Sequence, residues 1–136
     1  MLSLSHTLKI FLYAPAVDLR KSFDGLSGLV LQAFPEEDLL SGHLFLFFNK
    51  RRDRIKIIYW DADGLAIWYK RVEAGSFQIP PQANPGESIE LQSAQLSMIL
   101  GGVDLSSVRL RKRYHKPLKK KEISQVYTLT IQGYPR

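Results

Sequence analysis

The sequence has no cysteine, few histidines and no glycine-rich phosphate-binding loop, and each absence excludes a class of site. Without cysteine the chain forms no disulfide, thiolate zinc site or thiol nucleophile. Its three histidines are scattered, without the spacing of metal ligands. Neither a nucleotide-binding loop nor the elbow of a nucleophilic serine occurs. These absences exclude disulfides, thiol catalysis and a thiolate zinc site, and we expect a protein that is not an enzyme and has no metal or cofactor, with one weaker alternative described below.

Long apolar runs are also missing. None approaches the roughly 20 residues of a membrane-spanning helix. The N-terminal residues lack the basic segment, apolar stretch and small-residue cleavage site of a signal peptide. We therefore expect a cytoplasmic protein without a membrane partner. The length of 136 residues favours one domain with a full hydrophobic core.

Positive charge is concentrated at one end of the chain. Residues 1–108 contain 10 Lys/Arg and 12 Asp/Glu, a net charge of −2, whereas residues 109–136 contain 9 Lys/Arg and 1 Asp/Glu, a net charge of +8. Such asymmetry is typical of an interaction tail for nucleic acid. We predict an α+β domain over residues 8–106 and a basic extension over residues 107–136. The candidate DNA-contacting side chains of this basic arm are Arg109, Arg111, Lys112, Arg113, Lys116, Lys119, Lys120 and Lys121.

Residues 44–72 contain both tryptophans and are typical of three β-strands joined by two tight connections. Asp63-Gly64 lies between two apolar runs and predicts a two-residue type I′ hairpin. In that register Lys56 faces Arg71, a like-charge pair that a bound anion would relieve. The first strand, LFLFF, is apolar on both faces, which predicts a central strand covered on both sides.

The flanking segments predict two helices and further strands. Alternating apolar residues indicate short strands at residues 9–13, 77–79 and 88–91. Helical spacing predicts one helix over residues 19–33, with Asp18 as its N-cap, and a second near residues 91–100, which glycines end. The predicted fold is therefore α+β, with an antiparallel β-meander sheet flanked by two helices and a basic C-terminal arm.

Two groups of basic side chains in the predicted domain suit phosphate. The first connection of the meander carries four cations, and two more lie in the first turn of the first helix, where unpaired amides favour anions. Alternatively, the hairpin cations extend into water, and Asp18 and Asp24 neutralise the helix pair. The candidate DNA-contacting side chains of the domain are Arg20, Lys21, Lys50, Arg51, Arg52, Arg54, Lys56 and Arg71.

Two other functions are compatible with the sequence. Asp61 and Asp63 are the best candidates for a metal-dependent nuclease, because paired carboxylates bind magnesium. Aspartate is also common in Asp-Gly turns, so the presence of Asp63 does not require a metal. Four aromatic residues of the meander belong either to the core or to the partner surface of a protein-interaction module: Tyr59, Trp60, Trp68 and Tyr69.

Motifs between residues 9 and 105 occur in the order and spacing of a bacterial family. They are DLRKSFDGL at 18–26, SGHLFLF at 41–47, RRDRIKI at 51–57, YWDADGL at 59–65, WYKR at 68–71, QLSMIL at 95–100 and GVD at 102–104. On these residues the chain resembles the accessory proteins (second reading frame, TnpB type) of the insertion-sequence class numbered sixty-six. These proteins are unrelated to the RNA-guided nucleases that share the nickname.

The resemblance implies a role in transposition beside a larger transposase of the same element, without implying a catalytic activity. We therefore expect a non-catalytic accessory factor whose partners are DNA, including the ends of the element, and that transposase. Its basic side chains would position the protein on phosphates rather than read bases. The alternatives are a protein-interaction module without DNA contact and a metal-dependent nuclease. The sequence does not indicate the oligomeric state.

Overall fold

The structure, a computed structural model, describes residues 8–80, 88–104 and 109–110, with side chains for 8–80 and 88–102. In this part of the chain, five strands form one sheet, two helices flank it and two short strands pair separately. A short 3-10 turn, Leu39–Ser41, precedes the second strand. The elements are β1 (Ile10–Tyr13), α1 (Phe23–Ala33), β2 (Leu44–Phe48), β3 (Arg54–Asp61), β4 (Gly64–Arg71), β5 (Ser88–Leu91), α2 (Ser93–Gly101), β6 (Val103–Asp104) and β7 (Arg109–Leu110).

The main sheet has the strand order β4-β3-β2-β1-β5, so β2 is its central strand. All five residues of β2 are buried, which confirms the predicted central position. The sheet is nevertheless mixed, because β1 runs parallel to β2, with Ile10 opposite Leu44. Parallel neighbours need a crossover connection, and α1 lies in the connection between these two strands. The predicted antiparallel meander is therefore right for β2–β4 and wrong for β1.

Each face of the sheet has its own hydrophobic core. On the α1 face the rings of Phe11 and Phe45 stack with centroids 5.4 Å apart, and α1 contributes Leu26 and Val30. On the α2 face the alternate residues of β2 pack with Leu96 and other apolar residues of α2. Successive residues of β2 thus enter opposite cores, as the two-residue period of a strand requires.

The first helix begins four residues later than predicted. The Asp18 carboxylate accepts from the backbone N–H of Arg20, and the Asp18 carbonyl accepts from the N–H of Lys21. The N–H of Val17 donates to the carbonyl of Phe48 at 2.9 Å and joins this turn to the end of β2. Asp18 therefore caps a turn, and the two cations precede the helix instead of lying in its first turn.

The second helix and the edge strand agree with the prediction. β5 pairs antiparallel with β1 at the edge of the sheet. The N-cap of α2 is Gln92, whose backbone N–H donates to the Gln95 side chain at 2.9 Å. Gly102, with φ of 79°, ends the helix in the left-handed conformation that glycine adopts without strain.

The strand predicted at residues 77–79 does not form. The Phe77 N–H donates instead to the Arg52 carbonyl at 2.7 Å. Phe77 and Ile79 are both buried in the α2-face core. The apolar alternation at this position therefore reflects a loop that packs across the sheet rather than a strand that pairs with it.

The β3–β4 hairpin turns one residue earlier than predicted. Asp61 pairs with Gly64, so the turn residues are Ala62 and Asp63. The Asp63 N–H donates to the Asp61 carbonyl at 2.6 Å, and this tight turn gives Ala62 a positive φ of 56°. The predicted Asp63-Gly64 turn is therefore wrong, because Gly64 is already the first paired residue of β4.

This shift changes the cross-strand partners but not the faces. Every pair moves by two residues, and two residues are one period of a strand. Lys56 therefore faces Tyr69, whereas the predicted pairing with Arg71 was wrong. The like-charge pair of the hairpin is instead Arg54 opposite Arg71.

Replacing Ala62 with glycine is expected to stabilise the protein by about 0.5–1 kcal/mol. A side chain in the left-handed region costs about 1–2 kcal/mol, and the flexibility of glycine in the unfolded chain offsets part of the gain. The midpoint of urea unfolding measures the change. Ala94→Gly, on the exposed face of α2, is the matched control and should destabilise by about 1 kcal/mol. A loss of stability in Ala62→Gly would contradict the turn geometry.

Most of the predicted basic arm, residues 111–136, lies outside the described residues. Arg109 and Leu110 pair as β7 with β6. The boundary between residues 106 and 107 stays a prediction. Among the helices of the described part, none has the length and apolar character needed to cross a membrane.

Candidate nucleic-acid interface

A groove of about 760 Å³ lies beside the turn that joins β2 to β3. It is here termed the basic groove, because its lining holds five cations and one carboxylate, a net charge of +4. The loop after β1, the β2–β3 turn and the start of the hairpin all contribute to it. The lining residues are Ala16, Val17, Asp18, Leu19, Arg20, Asn49, Lys50, Arg51, Arg54, Lys56 and Tyr69.

The β2–β3 turn is held in place by its own hydrogen bonds. Asn49 Oδ1 accepts from the Arg54 N–H at 3.0 Å, and Asn49 Nδ2 donates to the Asp53 carboxylate at 2.6 Å. The second bond holds the pKa of Asp53 below its ordinary value. The Val72 N–H donates to the Asp53 carbonyl, and Arg52 adopts a positive φ of 57°. The cations of this turn are therefore presented by an ordered backbone.

Replacing Asn49 with alanine is expected to destabilise the protein by about 1–3 kcal/mol, because one bond to the backbone and one to a carboxylate are lost. Urea unfolding measures the change. Gln32→Ala, at an exposed position of α1, should change stability by less than about 0.5 kcal/mol. Equal stability of the two variants would show that the Asn49 side chain does not hold the turn.

Lys56 lines the groove, and its positively charged side chain is nearly buried. The residue is 9% exposed, and its Nζ donates to the Lys21 carbonyl at 2.9 Å. The same nitrogen lies 4.8 Å from the centroid of the Tyr69 ring. Arg54 Nη1 lies 3.4 Å from the Tyr69 hydroxyl oxygen. The carbonyl and the ring satisfy part of the ammonium group, which has three donors, and its charge acts on the groove that Lys56 lines.

Asp18 and Arg20 form a bidentate ion pair at the groove. Arg20 Nη2 lies 2.6 Å from Asp18 Oδ2, and Arg20 Nε donates to Oδ1 at 3.0 Å. The hydrogen bonds from the side chain and backbone of Arg20 lower the pKa of Asp18 to about 2. The guanidinium is 91% exposed, so the pair orients Arg20 without removing it from water.

Replacing Arg20 with glutamine is expected to raise the pKa of Asp18 from about 2 toward its ordinary value of 3.8. Carboxyl NMR during an acid titration measures this shift. The folded pKa is the lower one, so the stabilising effect of the pair is present above pH 3.8 and is lost as pH falls through about 2. Arg71→Gln removes the same charge elsewhere and should leave the pKa of Asp18 unchanged. Equal pKa values in both variants would contradict the ion pair.

The groove gathers part of the sequence-predicted set of DNA-contacting residues. Three others whose side chains are described do not line it. The Lys21 carbonyl accepts from Lys56, the Arg52 carbonyl accepts from the loop after β4, and Arg71 Nε lies 3.0 Å from the Glu73 carboxylate. The cations of the arm, from Arg109 onward, lie outside the described side chains. The predicted residues that line the groove are Arg20, Lys50, Arg51, Arg54 and Lys56.

The four aromatic residues of the hairpin divide between core and surface. Tyr59 is buried in the α2-face core, and the partly buried Trp68 packs against the same core. Trp60 is also part-buried. Tyr69 is 48% exposed and lines the groove. Sequence reasoning missed this position of Tyr69, because the predicted register placed Arg71 opposite Lys56.

The carboxylates considered for a metal lie at the other end of the hairpin. Asp61 and Asp63 flank Ala62 in the β3–β4 turn, away from the basic groove. Across the described part of the chain, no three His, Cys, Asp or Glu side chains are grouped to hold a metal ion.

The family model described as "IS66 Orf2 like protein" matches residues 8–110. The chain belongs to this family, as its motifs predicted, and is a transposition-associated accessory protein. Among its relatives from Sinorhizobium fredii, "Uncharacterized protein y4jC" is 33% identical over 119 residues, which is 88% of this chain and 98% of that protein. "Uncharacterized protein y4hO" is 30% identical over 104 residues, 76% of this chain and 88% of that protein. No solved structure matches the chain significantly.

Proposed function

We propose that this protein is a non-catalytic accessory factor in DNA transposition and that it binds DNA through the basic groove. Family membership supports the role in transposition. The observation that carries the DNA contact is the convergence of five cations, from separate segments of the chain, on one groove. Lysine and arginine side chains are the usual ligands of the phosphate backbone.

The charges within the fold also favour an anionic ligand. Arg54 lies directly opposite Arg71 in the hairpin, and like charges in such a pair are destabilising. Glu73 compensates Arg71 through its ion pair. A phosphate in the groove would compensate Arg54 in the same way, because Arg54 lines the groove.

The groove is suited to hold DNA rather than to read its sequence. Asparagine reads adenine through both ends of its amide, and Asn49 is the uncharged amide in the lining. Both ends of the Asn49 amide are already bonded within the turn. We therefore propose that the groove positions the protein on DNA while the transposase, bound at the same time, supplies the chemistry.

A salt series with the full-length chain tests the DNA contact. Fluorescence anisotropy with a duplex should show binding that weakens as salt rises, with a slope of about −0.9 in log Kobs against log salt for each phosphate neutralised. Five groove cations predict a slope of roughly −4.5, and contacts from the arm would make it steeper. Absence of binding at low salt would contradict the proposal.

The β4 edge supports a second candidate function, contact with the transposase. Within the described sheet β4 pairs with β3 on one side, and its eight residues are mostly half-exposed. An open edge with apolar side chains accepts an additional strand from a partner. Amide hydrogen exchange in β4 should slow when the transposase of the same element is added. Unchanged exchange rates in β4 would exclude this edge as the contact.

A further inference from the structure

We infer that the basic groove receives an unpaired DNA strand, one base of which stacks on the ring of Tyr69. This inference rests on the proposed DNA-binding function and specifies the form of DNA. It starts from the position of an aromatic ring among cations: Tyr69 lies in the same lining as Lys50, Arg51 and Arg54. Cationic grooves with an accessible aromatic ring are the usual platforms for single-stranded nucleic acid.

The environment of Tyr69 orients its ring and leaves about half of the residue exposed. Lys56 Nζ lies over the ring at 4.8 Å from its centroid, and Arg54 Nη1 approaches its hydroxyl at 3.4 Å. Tyr69 is nonetheless 48% exposed, whereas its cross-strand partner in β3, Lys56, is 9% exposed. An oriented ring loses little conformational freedom on binding, which favours stacking of a flat ligand.

The position of the ring distinguishes an unpaired strand from a duplex. A base within a duplex has both faces covered by its neighbours, so it has no face to offer to Tyr69. The phosphates of a duplex can reach exposed cations such as Arg20 and Lys50, but they leave the aromatic ring unused. A single strand can place phosphates on those cations and a base on the ring together.

The dimensions of the groove are also consistent with this ligand. A volume of about 760 Å³ lies within the range of sites that enclose a small organic molecule, and a nucleotide is of that size. Lys56 is 9% exposed and so lies deeper than the other groove cations, which are exposed. The outer cations would therefore contact the phosphates, and the Lys56 ammonium, held by the Lys21 carbonyl, would add its charge from within the groove.

Competition binding with the full-length chain tests the inference. The probes are an oligothymidylate of about 12 nucleotides, an abasic strand of equal length with the same phosphates, and a duplex. Oligothymidylate should bind about five- to 150-fold more tightly than the abasic strand, which is the contribution of one stacked base. Tyr69→Leu should remove this difference, whereas Tyr69→Phe should keep it. Circular dichroism confirms that both variants fold.

The outcomes separate the inference from the proposed function. Equal binding of oligothymidylate and the abasic strand, or an undiminished preference in Tyr69→Leu, would overturn the stacked base while leaving DNA binding intact. Absence of binding to all three probes would overturn the proposed function itself. A preference that is lost in Tyr69→Leu and kept in Tyr69→Phe establishes the stacked base.

Discussion

Simultaneous replacement of Lys50, Arg51 and Arg54 with alanine is expected to weaken DNA binding by about 100-fold or more. Hydrogen bonds to charged groups contribute at least about 1 kcal/mol each, and three are lost. The salt dependence should fall with the affinity, by about 0.9 in slope for each phosphate contact removed. All three side chains are exposed, so the free energy of unfolding should change little.

The basic arm supplies the matched control for this variant. Replacing Lys119, Lys120 and Lys121 with alanine removes the same number of charges from the arm. Anisotropy with the same DNA compares the two proteins. The variant that lacks the three groove cations (the groove variant) should lose much more affinity for DNA than the variant that lacks the three arm lysines (the arm variant). A larger loss in the arm variant would show that non-specific attraction by the arm dominates binding and would contradict the assignment to the groove.

Replacing Phe47 with alanine is expected to destabilise the fold by about 3–5 kcal/mol. Phe47 is fully buried in the central strand, and its ring centroid lies 5.5 Å from that of Tyr13. Removal of the ring leaves a cavity between the sheet and α1, which rigid strands on both sides of β2 cannot close. A loss of this size is a large share of the 5–15 kcal/mol that typically stabilises a domain.

Urea unfolding measures the effect of Phe47→Ala. Leu31→Ala provides the control, because Leu31 is 63% exposed on α1 and should contribute less than about 0.5 kcal/mol. A similar stability of the two variants would contradict the central position of β2 and the two-sided core.

The central strand could be predicted from its sequence, because a strand that is buried on both faces is apolar at successive positions. LFLFF has no polar residue on either face, and the structure buries all five side chains. The faces of the hairpin could also be predicted, since the error in register was one full strand period. The direction of β1 could not be predicted, because parallel and antiparallel neighbours of a buried strand have the same apolar composition.

The start of α1 shows a different limit. Leu19 fits the helical spacing and is buried, but it lies in a turn that Asp18 closes. Helical periodicity indicates which side chains are buried. The start of α1 depends instead on the turn that precedes it, which the hydrogen bond from the Val17 N–H joins to the end of β2. Such a long-range bond leaves no local signal in the sequence.

The candidate site was predicted as two separate basic groups, and the structure joins them. Arg20 and Lys50 are distant in the sequence, yet both line one groove because the loop after β1 bonds to the end of β2. The role of Asn49 in the turn had a local signal, an asparagine at a strand end before a tight turn. The position of Tyr69 in the groove had no local signal in the sequence, because it depends on the register of the β3–β4 hairpin.

Amide NMR of the full-length chain during addition of oligothymidylate tests the central claim most directly, because it locates the contact on the protein. The amides of residues 18–20, 49–54 and 69 should shift together with the same apparent affinity, while those of α2, on the opposite face, should stay unchanged. Shifts confined to the basic arm, with none at the groove, would contradict the account.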